Sequence, residues 1–391
     1  MKNLQTYFCP NHPVWAMAFR PLYLLTSLYA VISILLWGFG YTGTRGMPAY
    51  FWHAHEMIWG YAGTIVVAFL LTAGATWTGQ APTRGKMLMT LVFLWLLARL
   101  TTFLPSAFLT GLFGTAFYFL AAHCMGTAIW RSRNSRNYIA VFALVMLGFT
   151  HLWFHFYLFN MNGSALNNGL FAGLMMVSGF IGLIGNRIIP FFTSRRLNTP
   201  QISSPAWRVH SALIAPMLAA ILMMTQTAVA LSFYLLMYAG ILGCLQTKRW
   251  FQKEILSEPM LWTLHAGYGL TSLGMIGMAL GFIAPQFTSL GVHLIAVGGI
   301  GLLTLSMMTR TALGHTARQL YPAPKYLPTA FWLMIAATIM RAFAAIMMFI
   351  NETAYVHSLR LSAVLFAASL LIYFIRYAPW LTTPRLDGRE G

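Results

Sequence analysis

Acidic residues are nearly missing from this 391-residue chain: six Asp and Glu stand against 24 Lys and Arg. Charged residues of both signs make up only 8%, where soluble globular domains carry about 25%. Hydrophobic residues reach 59% and the mean hydropathy is +0.69. This balance excludes a soluble globular protein and a disordered one. Cysteine is scarce too. Cys9, Cys124 and Cys244 are far apart, which excludes a disulfide framework and a cysteine-based metal motif. No Cys-x-x-Cys-His is present to attach a c-type haem. The first 20 residues lack the apolar core and small-residue cleavage site of a signal peptide, so the first apolar run is expected to stay as an anchor. A net charge of +18 often points to nucleic acid. Here the bases sit between apolar runs, and the positive-inside rule accounts for them instead, with no nucleic-acid partner. The 24 methionines are read as gap-filling residues of apolar helices, not copper ligands.

A membrane span needs about 20 mostly apolar residues. Twelve such runs are present, at residues 20–41, 53–76, 86–104, 108–130, 138–160, 167–190, 207–224, 227–247, 260–284, 288–310, 327–350 and 355–377. The seventh and eighth share one apolar stretch, divided at Thr225-Gln226-Thr227. The expected fold is an all-α membrane bundle of about twelve helices. It forms one transmembrane domain over residues 1–391, with a short N-terminal segment (1–19) and a C-terminal tail (378–391). With the N-terminus placed inside, 18 bases fall in the inner loops, their span ends and the tail, joined by Lys2 and Arg20. The outer loops hold Arg45 alone. This asymmetry predicts both termini on the inner side.

The topology gives each histidine a depth. His53, His55, His151, His155, His293 and His357 fall in the outer half, and His123, His210, His265 and His315 toward the inner side. Trp52-His53-Ala54-His55-Glu56 is the sharpest feature. Residues two apart on a helix point about 200° apart, so His53 and His55 serve two neighbouring centres more readily than one. Glu56 is three residues from His53 and shares its face. It is the only acid expected inside a span, and an intramembrane carboxylate is by default functional. Three roles suit it: a proton relay, a partner for an arginine, or an orienting contact for His53. His151 and His155 are four apart on one face, a spacing that suits a single metal; His155 is the stronger candidate, being nearer the level of His53. His123 and His210 read as histidines hydrogen-bonded to neighbouring helices.

Arg99, Arg341 and Arg360 fall inside spans, in the outer half. A buried arginine needs an anion, and carboxylates are too few to go round. Haem propionates would supply the deficit for Arg99 and Arg341, while Arg360 snorkels to the interface. Histidine ligands, one carboxylate and unpaired arginines in one half of the membrane suit haem plus an imidazole-bound metal such as copper.

The chain resembles the NnrS family, bacterial membrane proteins associated with the response to nitric oxide. The resemblance rests on His53-Ala-His-Glu-Met57 with Thr76-Trp-Thr-Gly79, on Asn186-Arg-Ile-Ile-Pro-Phe-Phe-Thr193, and on Leu264-His-Ala-Gly-Tyr268. It continues through Val292-His-Leu-Ile-Ala-Val-Gly-Gly-Ile-Gly301 into Met308-Thr-Arg-Thr-Ala-Leu-Gly-His-Thr-Ala-Arg318, covering roughly residues 14 to 375. Only at His315-Thr-Ala-Arg318 does the pattern depart, where His-Thr-Gly-Arg is expected. The resemblance implies a twelve-helix protein of the bacterial inner membrane that binds haem b and copper and supports nitric oxide tolerance. Residue by residue it carries over His53, His55, Glu56, His265, His293, Arg310 and His315, and His155 only weakly. It does not say which histidine holds which metal.

In outline the chain is also similar to haem–copper oxidases, with twelve spans and one His-x-His. That analogy assigns His55 and His293 as axial ligands of a b-type haem. His53 and His155 are then the copper candidates, with Glu56 beside them. His265 and His315 would form an inner haem or metal site, or His315 would cap the inner end of span 10. Arg187 and Arg310 read first as positive-inside anchors, and second as partners of an inner propionate or of lipid phosphate. Three function classes stand: a metalloenzyme that reduces or otherwise disposes of nitric oxide, using Glu56 for protons and a quinol or protein electron donor; a protein that binds nitric oxide or handles metal without turnover; and a transporter, which the histidines and scarce acids disfavour.

Overall fold

The computed structural model describes residues 7–389; Lys2 lies outside them. The chain folds into twelve long helices: α1 (Phe19–Gly38), α2 (Ala49–Thr78), α3 (Gly85–Thr101), α4 (Phe108–Ser132), α5 (Tyr138–Phe159), α6 (Gly163–Leu197), α7 (Ala206–Thr225), α8 (Val229–Trp250), α9 (Pro259–Leu280), α10 (Gln286–His315), α11 (Leu327–Met347) and α12 (Glu352–Leu381). Ten of them are long and apolar enough to cross a membrane. Helix is the form such runs must take in lipid, because it pairs every backbone polar group within its own segment. Among the described residues the only extended pairing is the isolated Gly43–Pro48 bridge in the α1–α2 connection.

Helix ends follow local chemistry. The shared apolar stretch breaks at the Thr225-Gln226-Thr227 cluster, where Gln226 turns left-handed at φ 54°. Asn162 and Asn351 cap α6 and α12 by accepting the amides of Ala165 and Ala354. Two expected ends are corrected. Span 6 does not stop at Pro190: α6 runs on to Leu197. Pro190 removes the helical bond to the Asn186 carbonyl, but it lies buried among neighbouring helices and the helix continues through it. Span 10 likewise runs through Arg310 to His315, so His315 ends the helix rather than following it.

Neighbours in sequence are neighbours in space. Three outer arcs, α3–α5, α7–α9 and α11–α12–α1, lead into α6, α10 and α2 respectively. These three helices, 35, 30 and 30 residues long, converge on a small apolar slot of about 80 Å³ at the centre. An even number of crossings puts both termini at one end of the bundle, called here the terminal end. Both α2 and α10 switch from α to π turns directly after a histidine: at Glu56–Gly63 after His55, and at Leu294–Gly301 after His293. Such widened turns concentrate at functional sites.

Candidate metal centre and adjoining cavity

The π turn sets the site geometry. Its i→i+5 bonding rotates the residues after His55 out of α register. The loosened carbonyls are met by side chains: Trp59 O accepts from Tyr118 Oη at 2.6 Å and from Thr64 Oγ1 at 3.0 Å. Glu56 stands at the start of the widened turn, three residues along the helix from His53, yet its carboxylate turns to other partners. Its Oε1 accepts from Nδ1 of His55 at 2.6 Å, and its Oε2 pairs with Arg99 of α3. All three groups are buried. The earlier assignments change accordingly. Glu56 orients His55 rather than His53, and Arg99 has a protein anion, Glu56. Gly60 makes the pair possible, because a β-carbon there would collide with the guanidinium of Arg99.

With Nδ1–H committed to the carboxylate, His55 Nε2 carries a lone pair. It lies 3.1 Å from Nε2 of His151 and 3.1 Å from Nε2 of His155. One ring nitrogen from each of the three lies within 4.8 Å of the others. His151 is held from behind by Thr115 Oγ1, 2.9 Å from its Nδ1. Phe154 stacks on His55 at 5.5 Å, and Trp59 stands edge-on to His151 at 5.5 Å, which walls the cluster in apolar surface. Close approach of α4 to α5 depends on glycine. A β-carbon on Gly114 would sit 2.6 Å from Cε1 and Nε2 of His151, and one on Gly111 would sit 2.9 Å from His155. Three imidazole nitrogens this close repel unless they share a proton or a cation. Three imidazoles oriented by hydrogen bonds are a donor set for copper or zinc.

His53, on the opposite side of α2, stacks on Trp37 at 4.6 Å and 9°. It lines a second, separate cavity of about 400 Å³ with His293, Arg341, Tyr355, Met57 and Phe366. Nδ1 of His293 donates to the Ser289 carbonyl at 2.7 Å, which fixes the tautomer and leaves Nε2 as the free donor atom. Nη1 of Arg341 and Nδ1 of His53 are buried without a hydrogen-bond partner among the described residues. The two-residue spacing thus sends His53 and His55 to different sites. The proposed axial pair of His55 with His293 does not form: both ring nitrogens of His55 are taken up by Glu56 and the other two histidines. His53 and His155 do not meet either.

The inner residues also part company. His265 is buried with Nδ1 on the Leu261 carbonyl at 3.0 Å, while His315 packs on Phe19 at 5.5 Å, and no contact joins them. Arg310 is held by the Met260 carbonyl, the Tyr321 hydroxyl and the face of Phe192. Arg187 reaches Asn137. His123, His210, His357 and Arg360 are exposed.

A family model described as NnrS protein matches residues 13–385, nearly the whole chain. The chain belongs to the NnrS family. Comparison with curated proteins finds no match. Within this NnrS chain, His151 is the ligand candidate that ranking by depth passed over. Its four-residue spacing from His155 was the signal. Thr115, Gly60, Gly111 and Gly114 carry no sequence signal of their own, because each matters through a helix distant in sequence.

Proposed function

We propose that this chain is a metalloprotein of the bacterial inner membrane that confers nitric oxide tolerance by binding and disposing of nitric oxide at its metals. Copper is held by His55, His151 and His155. The second cavity would hold a b-type haem, with His293 offering its free Nε2 to the iron and Arg341 available to the haem's carboxylates. The observation that carries this reading is the convergence of three Nε2 atoms, two of them on rings fixed from behind by Glu56 and Thr115. For haem, the support is a cavity with apolar walls, a histidine in the ligating tautomer and an arginine lacking an anion. Haem iron and copper supply the positions at which nitric oxide binds and electrons are exchanged.

The chain's own residues do the rest. Glu56 holds His55 and, with Arg99, adds no net charge to a buried site. Phe154 and Trp59 exclude water. A groove of about 790 Å³ between α4 and α5, lined by Phe108, Leu112, Phe119 and Phe156, reaches His155 from the outer surface of the bundle. Phe108 and Phe156 are exposed there, as lipid-facing residues are. The groove gives an apolar molecule dissolved in the bilayer, nitric oxide or a quinol donor, a path to the metal. The test is the absorption spectrum of the reduced, purified protein with and without nitric oxide, with haem and copper analysis of the same sample. A b-type spectrum that shifts with nitric oxide supports the reading. Absence of both metals from a sample supplied with them refutes it. Stoichiometric binding without consumption would make the protein a nitric oxide binder rather than an enzyme.

A further inference from the structure

The trihistidine cluster has a charge balance that holding its rings in place does not require. Glu56 is the only buried acid among the described residues, and its Oε2 is paired with Nη1 of Arg99. The other side chains against the three rings are neutral: Trp59, Phe154 and Tyr118 by ring contact, and Thr115 by its hydroxyl. The groove that reaches His155 is lined by no acid, and its one Lys or Arg is Arg45. Three neutral imidazoles therefore face a site of zero net protein charge.

A carboxylate bonded to His55 alone would fix that ring equally well. The fold instead makes room for a guanidinium. Gly60 lacks the β-carbon that would collide with Arg99, and the rings of Tyr29 and Trp95 flank the cation at 5.8 and 5.9 Å. The consequence falls on the ion that the histidines hold. Cu(I) leaves one unbalanced charge in an apolar interior, and Cu(II) leaves two. The solvation cost of a buried ion grows with the square of its charge, so the second charge costs most. An unpaired Glu56 would offset part of that cost and favour the oxidised ion; Arg99 removes the offset.

We propose that Arg99 is a specificity-determining residue: by cancelling Glu56 it makes the trihistidine site selective for Cu(I). It acts through Glu56 and is not a ligand. The couple is Cu(II) + e− → Cu(I), with the electron taken from a one-electron reductant, dithionite in the assay below. The inference rests on copper occupying His55, His151 and His155, as in the proposed function.

Redox titration of the copper-loaded, full-length protein in detergent, followed at the copper X-ray absorption edge, reads this couple apart from any haem. The wild-type midpoint is expected at least about 59 mV above that of copper in excess imidazole in the same buffer, which is a tenfold preference for Cu(I) in a one-electron couple. Glu56→Gln leaves the Arg99 charge uncancelled and should raise the midpoint further. Glu56→Gln with Arg99→Met restores zero net charge and should lower it again by at least about 59 mV, toward wild type. Both variants lack the Glu56 carboxylate, so a purely structural role for it moves them together. A double variant with a midpoint equal to or above that of Glu56→Gln overturns the proposal. The wild-type comparison needs no variant to fold, and a midpoint at or below that of copper–imidazole overturns the proposal as well. A wild-type protein that takes up no copper is a distinct result: it refutes the copper reading itself, and this inference with it.

Discussion

Replacing Gly114 by alanine should empty the trihistidine site without unfolding the bundle. The new β-carbon would lie 2.6 Å from Cε1 and Nε2 of His151, and ordinary contact begins at 3.4 Å. The ring must therefore retreat by about 0.8 Å, several times the ~0.2 Å tolerance of a metal–ligand distance. Thr115, the next residue on the same helix, tethers Nδ1 at 2.9 Å and resists that retreat. The centre would be left with two histidines, and copper affinity should fall by at least about 100-fold, the upper end of what losing a mere supporting contact costs. Gly126→Ala, on the same helix, is the control. Its β-carbon meets only Val141, at 3.7 Å, and the substitution should leave copper binding intact while gaining about 0.5–1 kcal/mol of helix propensity. The assay is copper competition against a chelator of known affinity on detergent-solubilised protein. Wild-type affinity in Gly114→Ala would refute the geometry.

Glu56→Gln should lower copper affinity by about 10–100-fold, because His55 loses the carboxylate that fixes its tautomer. The same change leaves Arg99 as an unpaired buried cation and should cost about 3–5 kcal/mol, read as a drop in thermal unfolding temperature; Glu56→Gln with Arg99→Met should recover stability but not copper affinity. Arg341→Met should weaken haem retention during purification and leave copper unaffected, checked by the haem-to-copper ratio. At the N-terminal segment, His12 Nδ1 accepts the Val14 amide at 3.2 Å. Burial, with Arg20 nearby, holds its folded pKa below the ordinary 6.5. The unfolded segment therefore takes up a proton first, so this contribution is full above pH 6.5 and is lost as pH falls below that value and through the lower folded pKa. Faster amide exchange at Val14 on acidification below that pH is the expected result; a rate that falls or stays flat after correction for intrinsic exchange contradicts it.

The twelve helices were readable because each apolar run must satisfy its backbone alone, and because the Thr225-Gln226-Thr227 break is written in polar residues. The divergence of His53 from His55 followed from helix geometry. The partners of Glu56 and Arg99 did not, for two reasons. Arg99 meets Glu56 across a gap of 43 residues, and a shared helix face does not say which group the carboxylate turns to: it bonds the adjacent His55. With the sole intramembrane carboxylate consumed there, the anion deficit falls on Arg341, beside His53 and His293. Ranking His155 over His151 by depth does not separate them here: both lie in the cluster, on the face that Gly111 and Gly114 let α4 approach.

The central claim is that α2 serves two chemically separate centres from opposite sides. Copper and haem content measured on His151→Ala and His293→Ala, each purified after supply of both metals, tests it most directly. The proposed function predicts that His151→Ala loses copper and keeps haem, and that His293→Ala loses haem and keeps copper. Loss of both metals in either folded variant, or of neither, would contradict it.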